Sequence, residues 1–161
     1  MTLLRGTTRV NIQHEYFVEI LKDLVPDLPL GALAALEDLR RPRSYRCGEL
    51  VHEEGSASKG VTLLYSGAVD ISIPNERGKA IKLREVAAPA ILGLNETMSG
   101  HVFKSTATCM ESVEAAFLPA APFMNILRQF PIAGLQFSIL VSEDLTAMYS
   151  RLADLRRVPR S

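Results

Sequence analysis

Tryptophan is absent from this chain of 161 residues, and cysteine and histidine are scarce, with two and three copies. Each scarcity removes a class of function. Cys47 and Cys109 share neither a C-x-x-C nor a zinc-ligand spacing, so two free thiols in a reducing compartment are expected rather than a disulfide framework or a structural metal. His14, His52 and His101 are too far apart to supply the converging imidazoles of a metal oxygenase or isomerase built on strands. His14 falls in a leading helical segment, His52 in an extended run where a strand or solvent position is expected, and His101 in a loop. No phosphate-binding P-loop, Ser/His/Asp set or cysteine nucleophile motif occurs. Neither an enzyme nor a cofactor is expected.

Net charge is missing as well. The 18 basic and 18 acidic residues cancel, which leaves no global field to gather a phosphate backbone. The basic set Arg40, Arg41, Arg43 and Arg46 is broken by Pro42 and reads as a solvated connection between a helix and a strand. No stretch reaches the roughly 18 consecutive apolar residues of a membrane span, and no lysine-led apolar leader opens the chain. A cytoplasmic location without membrane contact is the resulting expectation.

What the chain does contain falls into three parts of one expected domain spanning residues 12–158. Over residues 12–41, Ile12, Tyr16, Phe17, Ile20, Leu21 and Leu24 recur at helical spacing. Pro26 and Pro29 interrupt them, and Leu30, Leu33, Leu36 and Leu39 resume the pattern. Two helices this short need a larger body to cover. Over residues 42–119, short apolar runs alternate with glycine turns: Leu50-Val51, Val61 to Leu64, Val69 to Ile73, Ile81 to Leu83, Ala90 to Leu92 and Val113 to Leu118. Val69, Ile71 and Ile73 alternate with Asp70 and Ser72, so one face meets a core and the other water. The fold class expected is mainly β with flanking helices, a sandwich of jelly-roll type.

Over residues 120–158 a short helix precedes a longer one. Val141, Leu145, Met148, Leu152 and Leu155 step by four, three, four and three, a single apolar stripe. A helix of about 25 residues extends about 37 Å at 1.5 Å per residue, beyond the face of a small sandwich. Pairing with a second copy of the chain is the economical way to cover the outer turns.

Three stretches carry a family resemblance: Gly48-Glu49-Leu50-Val51-His52-Glu53-Glu54-Gly55, Val61-Thr62-Leu63-Leu64-Tyr65-Ser66-Gly67-Ala68-Val69, and Ile91-Leu92-Gly93-Leu94-Asn95-Glu96. In that order, followed by a long terminal helix, they resemble the cyclic-nucleotide-binding domain of the catabolite-activator and fumarate-nitrate regulator family. The resemblance implies a cyclic-nucleotide-binding type of β-sandwich, a long C-terminal dimerisation helix and a regulatory role. It also implies a ligand-holding cassette from Gly93 through Ser105, in which a glutamate holds a ribose hydroxyl and an arginine holds the cyclic phosphate.

This chain departs from that pattern at both anchors. Leu94 stands at the glutamate position and Phe103 at the arginine position. Neither offers the charge or the paired hydrogen bonds of the residue it replaces, so the usual cyclic mononucleotides are not the expected ligands. The candidate ligand-binding residues are Gly93, Leu94, Asn95, Glu96, Phe103, Lys104 and Ser105. Backbone N–H groups of a short turn after Gly93 are potential anion donors. Regular alternation would send Lys104 away from the cavity that receives Phe103, and a slip of one residue would reverse the two. The chain stops at Val158-Pro159-Arg160-Ser161, where regulators of this family continue into a helix-turn-helix domain, so direct contact with nucleic acid is not expected. The expected function is a non-catalytic regulatory or sensory homodimer. It binds an unidentified small molecule and signals to another protein through its helices, or serves without a ligand as an interaction scaffold or as the sensor half of a transcription regulator.

Overall fold

The computed structural model describes residues 16–156; Ile12 and His14 lie outside that range. Residues 16–24 form helix α1, followed by α2 (Leu30–Leu39), strands β1 (Arg41–Tyr45), β2 (Leu50–His52), β3 (Gly60–Ser66), β4 (Ala68–Pro74), β5 (Ala80–Ala87) and β6 (Ala90–Leu92). A short helix α3 (Leu94–Ser99) leads to β7 (Thr106–Cys109) and β8 (Val113–Pro119), and α4 (Ala120–Gln129) and α5 (Pro131–Leu155) close the chain. The strands form two antiparallel four-stranded sheets, ordered β1-β8-β3-β6 and β2-β7-β4-β5.

The pairing of β3 with β8 sets the layers. In register, Val61 faces Leu118 and Leu63 faces Ala116, and these four side chains pack on one side with Phe17, Leu21, Leu36, Phe123 and Phe137 of the helices. Leu64 and Ala115 turn to the other side and pack with Val69, Ile71, Ala107 and Cys109 of the second sheet. Burial on both faces is why β3 reads as an almost unbroken apolar run, while β4, with Val69 and Ile71 in the core, keeps the alternation of a strand with one solvated side. The helices are required by the outer face of the first sheet. They hold more of the described residues than the strands do, so the architecture is a mixed α and β sandwich, not the mainly β fold expected from sequence.

One expected loop is a strand. Arg41–Tyr45 pairs along its length with β8, and Pro42 is tolerated there because β1 is the edge of its sheet. Close backbone approach dictates glycine at two strand starts. A Cβ on Gly60 would collide with the Leu118 carbonyl oxygen, and one on Gly67, where φ is +89°, would lie 2.5 Å from the Ser112 carbonyl oxygen.

Pro131 opens α5 at its first turn, where a missing N–H costs nothing. Ala133 and Phe137 bury the start of the helix, with the Phe137 ring set edge-on against Phe123 at 5.2 Å. Gln136 Nε2 donates to the Asp27 carbonyl at 2.9 Å, tying α5 to the turn between α1 and α2. Val141 is half-buried against the same core. Beyond it no residue through 156 is buried.

Replacing a buried Phe by Ala typically costs about 3–5 kcal/mol, so Phe137→Ala is expected to lower the unfolding free energy measured by urea titration by that amount and to free the start of α5. A loss under about 1 kcal/mol would show that the ring does not anchor the helix.

Candidate functional site

Between the two sheets, at the end where β3 begins, lies a cavity of about 340 Å³, within the usual range of about 300–1,000 Å³ for small-molecule sites. Its floor is a row across the first sheet. Leu92, Thr62 and Phe117 are direct neighbours on β6, β3 and β8, so one inward-facing position on each strand supplies it. Arg43 and Tyr45 of β1 share a face two residues apart and add a polar flank. The opposite wall is Val51 and His52 of β2 with Phe103, and the loop residues Ser56 and Lys59 complete the rim.

Phe103 reaches the wall without belonging to a regular strand. Its N–H donates to the Ser56 carbonyl at 2.9 Å, and its carbonyl accepts from the Gly55 N–H at 2.7 Å. This local pairing buries the ring to 6% exposure and leaves Lys104 in solvent and Ser105 half-buried. The ring lies parallel to the His52 imidazole, with centroids 3.9 Å apart and planes 8° apart, a contact worth about 0.5–1.5 kcal/mol beyond burial. His52 Nε2 is buried with no hydrogen-bond partner. Burial pushes its pKa down to about 4, so the imidazole is neutral at pH 7 and serves here as a flat ring.

Helix α3 braces the cavity from behind. Gly93 takes the left-handed conformation at its start, φ +81°, and a Cβ there would lie 3.0 Å from the Gly60 carbonyl oxygen and 3.4 Å from Phe103 Cζ. Thr97 Oγ1 meets Ser58 Oγ at 2.8 Å, locking α3 to the start of β3. Leu94 joins the helical core, Asn95 is exposed and Glu96 half-buried. Of the seven candidate ligand residues, Phe103 is the one whose side chain lines the cavity. Among the described residues no group of three or more His, Cys, Asp or Glu side chains could hold a metal ion. Cys47 is exposed and Cys109 buried, and neither is in a disulfide.

The sequence model of the cyclic nucleotide-binding domain matches residues 42–130, more than half of the chain. The chain belongs to the cyclic nucleotide-binding domain family. Solved structures share the fold at low identity. The catabolite activator protein of Thermus thermophilus aligns with a TM-score of 0.70 and 19% identity over 82% of this chain and 62% of that one. The sensor domain of the transcriptional regulator DNR from Pseudomonas aeruginosa aligns at 0.70 and 15% identity, over 91% and 98%. The regulatory subunit of a cAMP-independent protein kinase A from Trypanosoma cruzi, bound to guanosine, aligns at 0.65 and 18% identity, over 71% and 41%. This chain therefore spans less than two thirds of the Thermus protein's length. No curated protein sequence matches it significantly. The domain is a non-catalytic regulatory module, and no helix among the described residues is long and apolar enough to cross a membrane.

Several residues of this cavity escaped the sequence reading. By sequence Arg43 reads as part of a connecting segment and His52 as a strand or solvent position; His52 is in strand β2, and both line the cavity. The usable signal was the two-residue spacing of Arg43 with Tyr45 and of Ala115 with Phe117, which puts each pair on one face; what no local pattern reveals is that the β1 and β8 faces are shared.

A histidine whose folded pKa is lowered resists protonation in the native state, so the unfolded chain takes up the proton first. Stability from this group is complete above pH 6.5 and is lost as the pH falls toward 4, by on the order of 3 kcal/mol at most, at about 1.4 kcal/mol per unit. The variant His52→Phe keeps a stacked ring and is expected to flatten the dependence of Tm on pH across that window. An unchanged slope would assign acid sensitivity to other groups.

Proposed function

We propose that this domain senses a small molecule other than an ordinary cyclic mononucleotide, and that occupancy of the cavity is passed to a second copy of the chain through α5. One observation carries the ligand half of the reading. At the position where the family's cassette places its phosphate-binding arginine, Phe103 contributes a buried ring stacked on a neutral His52. A cyclic phosphate seated there would lose its hydration and gain no guanidinium. Leu94, in place of the ribose-binding glutamate, is committed to the helical core. The T. cruzi kinase subunit, whose structure holds guanosine, supports the idea that this fold accommodates ligands without a phosphate.

The output half rests on α5. Leu145, Met148, Leu152 and Leu155 are 51%, 50%, 54% and 80% exposed, a heptad-spaced stripe that continues the line of Phe137 and Val141 past the end of the body. A parallel two-fold pair of these helices covers it, and a ligand that favours one placement of the helices over another shifts their equilibrium. This homodimer would in turn present a surface to a protein partner.

Titration calorimetry with cyclic AMP and cyclic GMP should give no saturation below ~1 mM, and micromolar binding of either would overturn the reading of Phe103. Native mass spectrometry of protein from its own cells is expected to show one retained small molecule per subunit. A consistently empty protein would instead support a ligand-free scaffold. For the helix pair, Leu145→Glu with Leu152→Glu should give monomers by light scattering at micromolar concentration, and an unchanged assembly would sink the pairing.

A further inference from the structure

We propose that the cavity's anion-holding function sits on Arg43 of β1, outside the cassette, with Lys59 at the rim, and that its ligand class is a planar aromatic carboxylate. The inference rests on the sensor reading above and adds what the ligand must look like.

The first half follows from charge. Arg43 and Lys59 line the cavity, and no carboxylate lines it with them. Among the described residues neither cation forms an ion pair: the salt bridges there join Lys82 to Asp70 and Glu85 on the far hairpin. The nearest acid along β1 and β8, Glu114, is bonded to Ser44 Oγ at 2.7 Å, and Ser44 projects from the opposite face to Arg43. The Arg43 guanidinium rests over the Phe117 ring at 5.1 Å from its centroid, a contact worth only about 0.5–1 kcal/mol at an exposed site. It is thus held at the cavity with its hydrogen-bond donors unspent, suited to the paired acceptance geometry of a carboxylate. In a chain whose charges cancel overall, two unpaired cations on one concave surface favour an anion there.

The second half follows from shape. Aromatic rings stand on both walls, Phe117 from the first sheet and the parallel Phe103 and His52 pair from the other side. Flat faces on opposing walls favour a flat guest, and offset or edge contacts with it add to its burial. The hydroxyls of Tyr45, Ser56 and Thr62 leave room for ring substituents with hydrogen-bonding groups. A cyclic nucleotide would need its anion at the cassette end, where Phe103 sits. An aromatic carboxylate places its ring near Phe103 and its charge at Arg43.

The test uses 2-naphthoate as probe and its neutral isostere 2-naphthamide as control. The chain has no tryptophan, so the probe's emission can be read without tryptophan background. We expect 2-naphthoate to bind with saturation and about 10- to 100-fold more tightly than the amide, the effect of a hydrogen bond to a charged group. The double variant Arg43→Gln, Lys59→Gln changes only exposed positions. It should erase the preference for the acid while circular dichroism and Tm stay those of the wild type. Cyclohexanecarboxylate, charged but not flat, should bind more weakly than 2-naphthoate. Equal binding of acid and amide would overturn the anion seat and leave the sensor reading standing. So would failure of every aromatic probe while native mass spectrometry still shows some other retained molecule. Failure of the probes on a protein that is always empty would remove both.

Discussion

Everything in this domain depends on one strand pair that is buried on both faces. β3 and β8 present Val61, Leu63, Ala116 and Leu118 outward, and the area they expose must be covered by something apolar. That requirement recruits α1, α2, α4 and the first turns of α5, none of which is long or apolar enough to hold a structure alone. On the other face Leu64 and Ala115 demand the second sheet. Where the same strands carry Thr62 and Phe117 in place of small aliphatic residues, the two sheets do not close, and the cavity opens at that place. Helical body, sandwich and cavity are thus three consequences of a single ladder.

Phe103 shows how a loop can decide a site. Simple alternation through residues 103 and 104 leaves two registers open, one with the ring inside and one with the lysine inside. The choice is made by two backbone hydrogen bonds to Gly55 and Ser56, residues almost fifty positions away in the chain. Once they form, the ring is turned onto His52 and the lysine is left in water. The substitution then changes more than charge. The wall becomes a flat, neutral surface, and His52 is driven away from protonation by the burial that the ring helps to provide. Position 103 is part of an aromatic wall.

The two ends of α5 behave differently for a similarly simple reason. Its first turns lie over the helical core, where Ala133 and Phe137 are buried. Its later turns run past the body, and the same stripe emerges into solvent. A helix rises about 1.5 Å per residue whatever lies beside it, so its 25 residues outrun a sandwich whose strands have at most eight. The stripe from Phe137 to Leu155 is therefore one feature with two roles along its length, core as far as Val141 and exposed surface from Leu145 onward.

The amino-acid sequence by itself determined the order of parts: leading helices, glycine-punctuated strands, a cassette opening at Gly93, and a long terminal helix. Those features are local, because periodicity, turn residues and caps act over a few positions. It also placed Leu94 and Phe103, residues without charge, where the family resemblance expects the two ligand anchors. Only the tertiary structure decided that Arg41–Tyr45 is a strand, that the helices outweigh the sheets, and that Arg43, His52, Phe103 and Phe117 share one cavity. Those four come from β1, β2, the loop before β7, and β8, and what joins them is cross-strand register and the facing of two sheets. Such contacts depend on which strands pair, and no pattern confined to one segment carries that information.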